Sequence, residues 1–191
     1  LAAWQRSVLS VVVSGGVVAA LIGLFLPKAR DSETLRATLL AAAGWGVVHL
    51  AVLLAGLARP PGKRGSRELR WAIALGLPLA FFGYLALAAH TTLPFARFLQ
   101  EDTHAPTCGL FTLMFGAAAA GGTLLAWRRT DPLTPGVSGA LAGLCGGLAA
   151  AAGIGVACPS HEAWHLWLAH GSTVVICVGV GWAVGRRWLT P

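Results

Sequence analysis

The charged residues of this chain come in clusters, and the intervals between clusters are each long and apolar enough to cross a bilayer. Six such intervals follow one another: Val8–Leu26, Leu35–Ala58, Trp71–Ala89, Cys108–Trp127, Val137–Ala157 and Trp164–Gly185. A spanning helix needs about 20 mostly apolar residues at roughly 1.5 Å rise each. Charged residues make up 11% of the chain, against about 25% in an ordinary soluble domain. Lipid is therefore the expected solvent for most of the surface. Six spans with short connections use nearly all 191 residues, so residues 1–191 read as a single transmembrane domain. The expected fold is all-α, a polytopic bundle of six transmembrane helices.

The ends of the spans carry their own signals. Pro27 follows the first, and Arg59-Pro60-Pro61-Gly62-Lys63-Arg64 terminates the second, because proline lacks the amide a helix needs. Pro78 is expected to kink the third. Trp4, Trp71, Trp127, Trp164 and Trp188 fall at predicted helix ends, where amphipathic rings favour the membrane interface. Between the third and fourth spans, Leu93-Pro94-Phe95-Ala96-Arg97-Phe98 reads as a short interfacial helix. The first apolar stretch is not followed by a small-residue cleavage site, so a cleaved signal peptide is not expected. The chain begins with Leu, from which an absent N-terminal segment is inferred.

Orientation comes from Lys and Arg, which stay cytoplasmic in short loops. One side receives ten of them: Arg6, Arg59, Lys63, Arg64, Arg67, Arg70, Arg128, Arg129, Arg186 and Arg187. The other receives four: Lys28, Arg30, Arg36 and Arg97. Both termini are thus expected in the cytoplasm. The net charge of +7 is topogenic on this reading. No interleaved basic and aromatic surface points to direct nucleic-acid binding; anionic lipid is the expected partner of the basic loops. No carboxylate falls inside a span, which argues against an ion or proton pathway built on buried acids.

Gly139, Gly143 and Gly147 repeat at four-residue spacing, as do Gly181 and Gly185. Small-residue faces of this kind let helix backbones approach in lipid. Packing within the bundle is the expected use, with homodimerisation the alternative.

Chemistry concentrates at the outer boundary. Cys108 opens the fourth span and Cys158 closes the fifth; His90, His104, His161 and His165 share their layer, and His170 lies about 10 Å deeper by helical rise. His49 falls near mid-membrane, where a packing role is expected, and Cys145 and Cys177 read as small apolar fillers. Thiolate and imidazole together suit zinc or another thiophilic metal, with Cys108, Cys158, His161, His165 and His170 as candidate ligands. No cofactor is required by this pattern, and two thiols facing an oxidising compartment can instead form a disulfide. His161-Glu162-Ala-Trp-His165 is also a literal H-E-x-x-H, which on a helix puts two imidazoles on one face with Glu162 placed to activate water. A metalloenzyme reading follows from it. Its position at a helix start beside Pro159, with no further acidic ligand motif in the chain, favours a non-enzymatic role.

The ordered set Cys108, Arg128-Arg129-Thr-Asp-Pro-Leu-Thr-Pro135, Gly139-Ala-Leu-Ala-Gly143-Leu, Cys158-Pro159 and Gly185-Arg186-Arg187-Trp188-Leu189 resembles the NrsF family. These are six-helix negative regulators of extracytoplasmic-function sigma factors in bacteria. The resemblance implies a multi-pass protein of the cytoplasmic (inner) membrane that sequesters such a sigma factor and releases it on external stress. It implies that the family's two outer cysteines correspond to Cys108 and Cys158, the candidate sensor thiols. It also implies a short cytoplasmic N-terminal segment as a sigma contact, one largely missing from this sequence.

Overall fold

The computed structural model describes residues 1–25, 66–88, 93–131, 133–158, 160 and 162–191. The predicted second span and His49 lie outside these residues, as do His90, His161, Lys28, Arg30, Arg36, Arg59, Lys63 and Arg64.

All regular structure among the described residues is helical: α1 (Ala3–Phe25), α2 (Arg67–Ala88), α3 (Phe95–Glu101), α4 (Ala105–Ala126), α5 (Pro135–Ala157) and α6 (Ala163–Trp188). Four of them, α1, α4, α5 and α6, are long and apolar enough to cross a membrane. The first, third, fourth, fifth and sixth predicted spans fall on α1, α2, α4, α5 and α6. The interfacial segment predicted around Phe95 is α3. The α2 helix continues through Pro78, which is buried.

Local sequence explains the boundaries. Pro135 occupies the first turn of α5, where its fixed φ suits a helix and its missing amide costs nothing. That helix stops at Cys158, whose extended backbone (φ −73°, ψ 123°) is the conformation imposed on a residue before proline. After α4, Arg129 takes a positive φ of 56°, the left-handed geometry common just past a helix end. Its amide donates to the Trp188 carbonyl at 3.0 Å, and the Asp131 amide to the Leu189 carbonyl at 2.9 Å, tying the α4–α5 turn to the end of α6.

The bundle is built around α5, which is buried along its spanning length. Its Val137, Leu141, Leu144 and Leu148 pack with Ala74 and Phe81 of α2 and Val174 of α6. Large apolar side chains also face outward, as lipid solvation allows, and glycines line the tightest helix contact. Leu79, Leu87, Leu110, Met114 and Val180 are exposed, while Gly139 and Gly143 meet Gly181 and Gly185 backbone to backbone. A methyl group added at Gly139 would stand 2.7 Å from the Gly185 Cα, and one at Gly143 would collide with the Cys177 carbonyl. The glycine repeats thus join α5 to α6 within one chain.

Two of the five tryptophans also bridge elements from their places at helix ends. Trp127 is buried, and its indole N–H donates to Ser10 Oγ of α1 at 3.2 Å. Trp164 donates to the Leu93 carbonyl at 3.0 Å and packs on Phe95, with centroids 4.9 Å apart. Each ring found a hydrogen-bond acceptor on a neighbouring segment, so both clamp elements together.

Candidate functional site

Cys158 caps α5, His165 lies in the first turn of α6, Cys108 in the first turn of α4, and Asp102 in the turn between α3 and α4. The fold brings all four to one end of the bundle. His165 Nε2 lies 3.1 Å from Cys158 Sγ, and His165 Nδ1 lies 2.7 Å from Asp102 Oδ2. Cys108 Sγ, Cys158 Sγ and a ring nitrogen of His165 all fall within 4.8 Å of one another. Cys108, Cys158 and Cys177 carry free thiols. Cys158 and His165 are buried, and Cys108 is half-buried.

The surroundings hold this group in place. Asp102 Oδ1 accepts the backbone N–H of His104 and of Ala105, each at 3.0 Å, which fixes the carboxylate at the start of α4. Burial pushes the Asp102 carboxyl up, but the hydrogen bond and charge of His165 and the two amides outweigh it. The net effect holds the acid below its ordinary value. With Asp102 ionised, Nδ1 of His165 is the donor of that hydrogen bond, which turns Nε2 toward Cys158. Burial foremost, aided by the neighbouring Cys108, pushes the Cys158 thiol up to about 12 against a backbone hydrogen bond of Ser160. A cleft of about 290 Å³ lined by Phe98, Asp102, Ala105, Gly109 and Leu168 opens beside the carboxylate.

The sequence pattern H-E-x-x-H takes a different form in three dimensions. Glu162 is the N-cap of α6: Oε2 accepts the His165 amide and Oε1 the Leu93 amide, each at 3.0 Å. Both carboxylate oxygens are occupied by backbone donors, so the side chain ties the α5–α6 loop to the segment before α3. His161 lies outside the described residues. Residues Leu166–Gly171 then form a π-helical segment. In an α-helix, residues five apart are rotated by about 140° from one another. The wider π turn brings them closer to one face, and the His165 and His170 rings lie 5.5 Å apart. His170 is buried one layer deeper, its Nδ1 3.5 Å from Thr112 Oγ1. It stands behind the cluster rather than among its donors.

The opposite end of the same helices is basic. Arg6 donates to the Ala126 carbonyl at 2.8 Å, drawing α1 onto the end of α4. Arg70 of α2 is buried beside Asp131, with NH2 3.7 Å from Oδ2. It also donates to Thr134 and Ser138, while Ser138 and the Thr134 amide donate to Asp131. Four side chains from α2, the α4–α5 turn and α5 form one buried polar knot.

A family model described as negative regulator of sigma F matches residues 1–190. The chain belongs to the NrsF family. The match extends through α1 and α2, well before the Cys108–Leu189 stretch that carries the motifs. As an NrsF member the chain is a negative regulator of a sigma factor, and a sigma factor is its partner. Neither the curated proteins nor the solved structures gave a match.

The family motifs now have physical assignments in this NrsF chain. The turn after α4 carries Asp131 and Thr134 to Arg70; Gly139, Gly143 and Gly185 are the α5–α6 seam; Cys158 is the C-cap of α5 and presents a thiol. The partners of Asp102 and Arg70 escaped the sequence reading, which placed Arg70 only among the basic residues of one face. Asp102 is 63 residues from His165 and Arg70 is 68 from Ser138, and no periodicity links positions so far apart.

Proposed function

We propose that this NrsF protein is a multi-pass anti-sigma regulator of the bacterial inner membrane, with both termini in the cytoplasm. It sequesters an extracytoplasmic-function sigma factor at the basic face and releases it when the outer thiols meet an external redox or metal stress. The observation that carries this reading is the distribution of function along α4, α5 and α6. Each has a residue at or beside the thiol cluster at one end, Cys108, Cys158 and His165, and a link to the buried knot or its tied turn at the other. A changed spacing between Cys108 and Cys158 shifts α4 against α5. That shift reaches the turn Arg128–Pro135, which joins the same two helices. Coupling of about 1–3 kcal/mol, or about 5- to 150-fold in affinity, suffices for such a switch. The protein acts by binding, not by catalysis: Glu162, the one side chain suited to activate water in the H-E-x-x-H pattern, is engaged as a helix cap.

The test is a sigma-dependent transcriptional reporter in cells. Cys108→Ser with Cys158→Ser should fix the reporter in one state under oxidant or thiophilic metal, at near-normal protein abundance. Cys145→Ala with Cys177→Ala should preserve the response; alanine is chosen because both sites are apolar and buried. An intact response in the outer double variant would overturn the sensor.

A further inference from the structure

The proposed sensor leaves open what the thiols meet, and the geometry narrows it. We infer that the outer cluster is a binding site for one thiophilic divalent cation. Cys108 Sγ, Cys158 Sγ and His165 Nε2 are its ligands, and Asp102 is the residue that orients the imidazole. This rests on the sensor reading above and names its ligand.

Donor spacing is the first argument. A tetrahedral ion about 2.3 Å from sulfur and about 2.0–2.1 Å from nitrogen holds neighbouring sulfurs about 3.8 Å apart and sulfur about 3.5 Å from nitrogen. The three donors already lie within 4.8 Å of one another, with Cys158 Sγ and His165 Nε2 3.1 Å apart. Closing the site needs side-chain adjustments of about 1 Å and no helix movement. The second argument is the imidazole. A disulfide needs two sulfurs about 2.05 Å apart and nothing else, which leaves a buried His aimed at Cys158 without purpose. A metal site needs that nitrogen, and it needs the other ring N–H held by a carboxylate. Asp102 holds it at 2.7 Å and is itself held by two amides.

Charge is the third argument. Two thiolates with a divalent ion are net neutral, whereas a lone thiolate in this buried place is costly. Three protein ligands leave one coordination position open to water, unlike the four-ligand shell of a structural site. Compared with the ligand set expected from sequence, His170 moves out of the ligand shell, with its ring 5.5 Å from that of His165, and Asp102 joins as the supporting residue.

The experiment uses purified full-length protein, reduced and anaerobic, in detergent or nanodiscs, titrated with Co²⁺ as the probe. The expected result is a thiolate-to-cobalt charge-transfer absorption with tetrahedral d–d bands, saturating at one ion per chain and displaced by Zn²⁺ or Cd²⁺. Cys108→Ser should abolish it. His165→Gln should remove the tetrahedral signature, and Asp102→Asn should weaken binding about 10- to 100-fold. His170→Ala should bind as the parent does. Helicity and monodispersity are checked for every variant, and Cys108→Ser and His165→Gln are read independently so that either one decides. No cobalt absorption by the folded, reduced parent would overturn the site, as would absorption unchanged in Cys108→Ser or His165→Gln. Sigma affinity is measured separately on the same samples. Cobalt bound at this site without any change in sigma affinity would overturn the sensor reading and leave the site standing. Thiol-dependent sigma control with no cobalt binding would do the reverse.

Discussion

His165 Nε2 lies 3.1 Å from Cys158 Sγ, so that the end of one spanning helix and the start of the next meet through an imidazole and a thiol. The contact is buried, and it bears directly on how Cys158 reacts. The thiolate is the nucleophile in alkylation, and burial keeps the Cys158 proton in place, with the thiol raised to about 12. In the reduced, metal-free protein Cys158 should therefore alkylate more slowly than half-buried Cys108 at pH 7, by about tenfold or more. Because the shift is upward, the Cys158 rate should keep climbing with pH toward that value. Mass spectrometry of maleimide-labelled peptides after timed quenching provides the measurement, and equal rates at neutral pH would contradict it.

The division of basic residues between the two faces makes a prediction about topology. Single cysteines placed at Ser66 or Thr130, in a background lacking native cysteines, should be shielded from a membrane-impermeant thiol reagent in intact cells. One placed at Gln100, exposed in α3, should react. Labelling at Ser66 from outside would invert the orientation and put the thiol cluster in the cytoplasm.

The Arg70–Asp131 pair is almost wholly buried, with side-chain exposures of 3% and 1%. Removing one partner of such a pair strands the other charge and costs about 3–5 kcal/mol. Asp131→Ala should accordingly lower the unfolding temperature and membrane abundance sharply. Arg70→Met with Asp131→Leu removes both charges and should recover much of that loss. A double variant no better than the single one would show that Arg70 and Asp131 act independently.

Glycines at the α5–α6 seam should respond by position. Gly143→Ala drives a methyl into the Cys177 carbonyl, and overpacking of this kind costs about 1–3 kcal/mol. Gly179, on the same helix as Gly181, has no atom within 4 Å of an added Cβ. Gly179→Ala should be neutral or stabilising by up to about 1 kcal/mol, because alanine favours the helix. Thermal unfolding in one detergent compares them, and equal destabilisation by both would refute the seam.

The all-helical class, the run of apolar spans and the clustering of basic residues at span ends were legible in the sequence, because each depends on local composition. Lipid solvation acts on every window of about 20 residues separately, and Pro135, Pro159 and Gly143 act within a turn or two of themselves. Cys108, Cys158 and His165 were likewise visible as residue types at helix ends. Their assembly was decided only by the tertiary structure. The π turn that brings His165 and His170 closer to one face depends on hydrogen-bond register, to which the five-residue spacing gives no clue. Glu162 looked placed to activate water and became a cap, because its oxygens reached two backbone amides. Asp102 and Arg70 gained their partners by packing of helices more than 60 residues apart. A buried charge takes whatever partner the bundle brings within reach, and only the folded chain sets that distance.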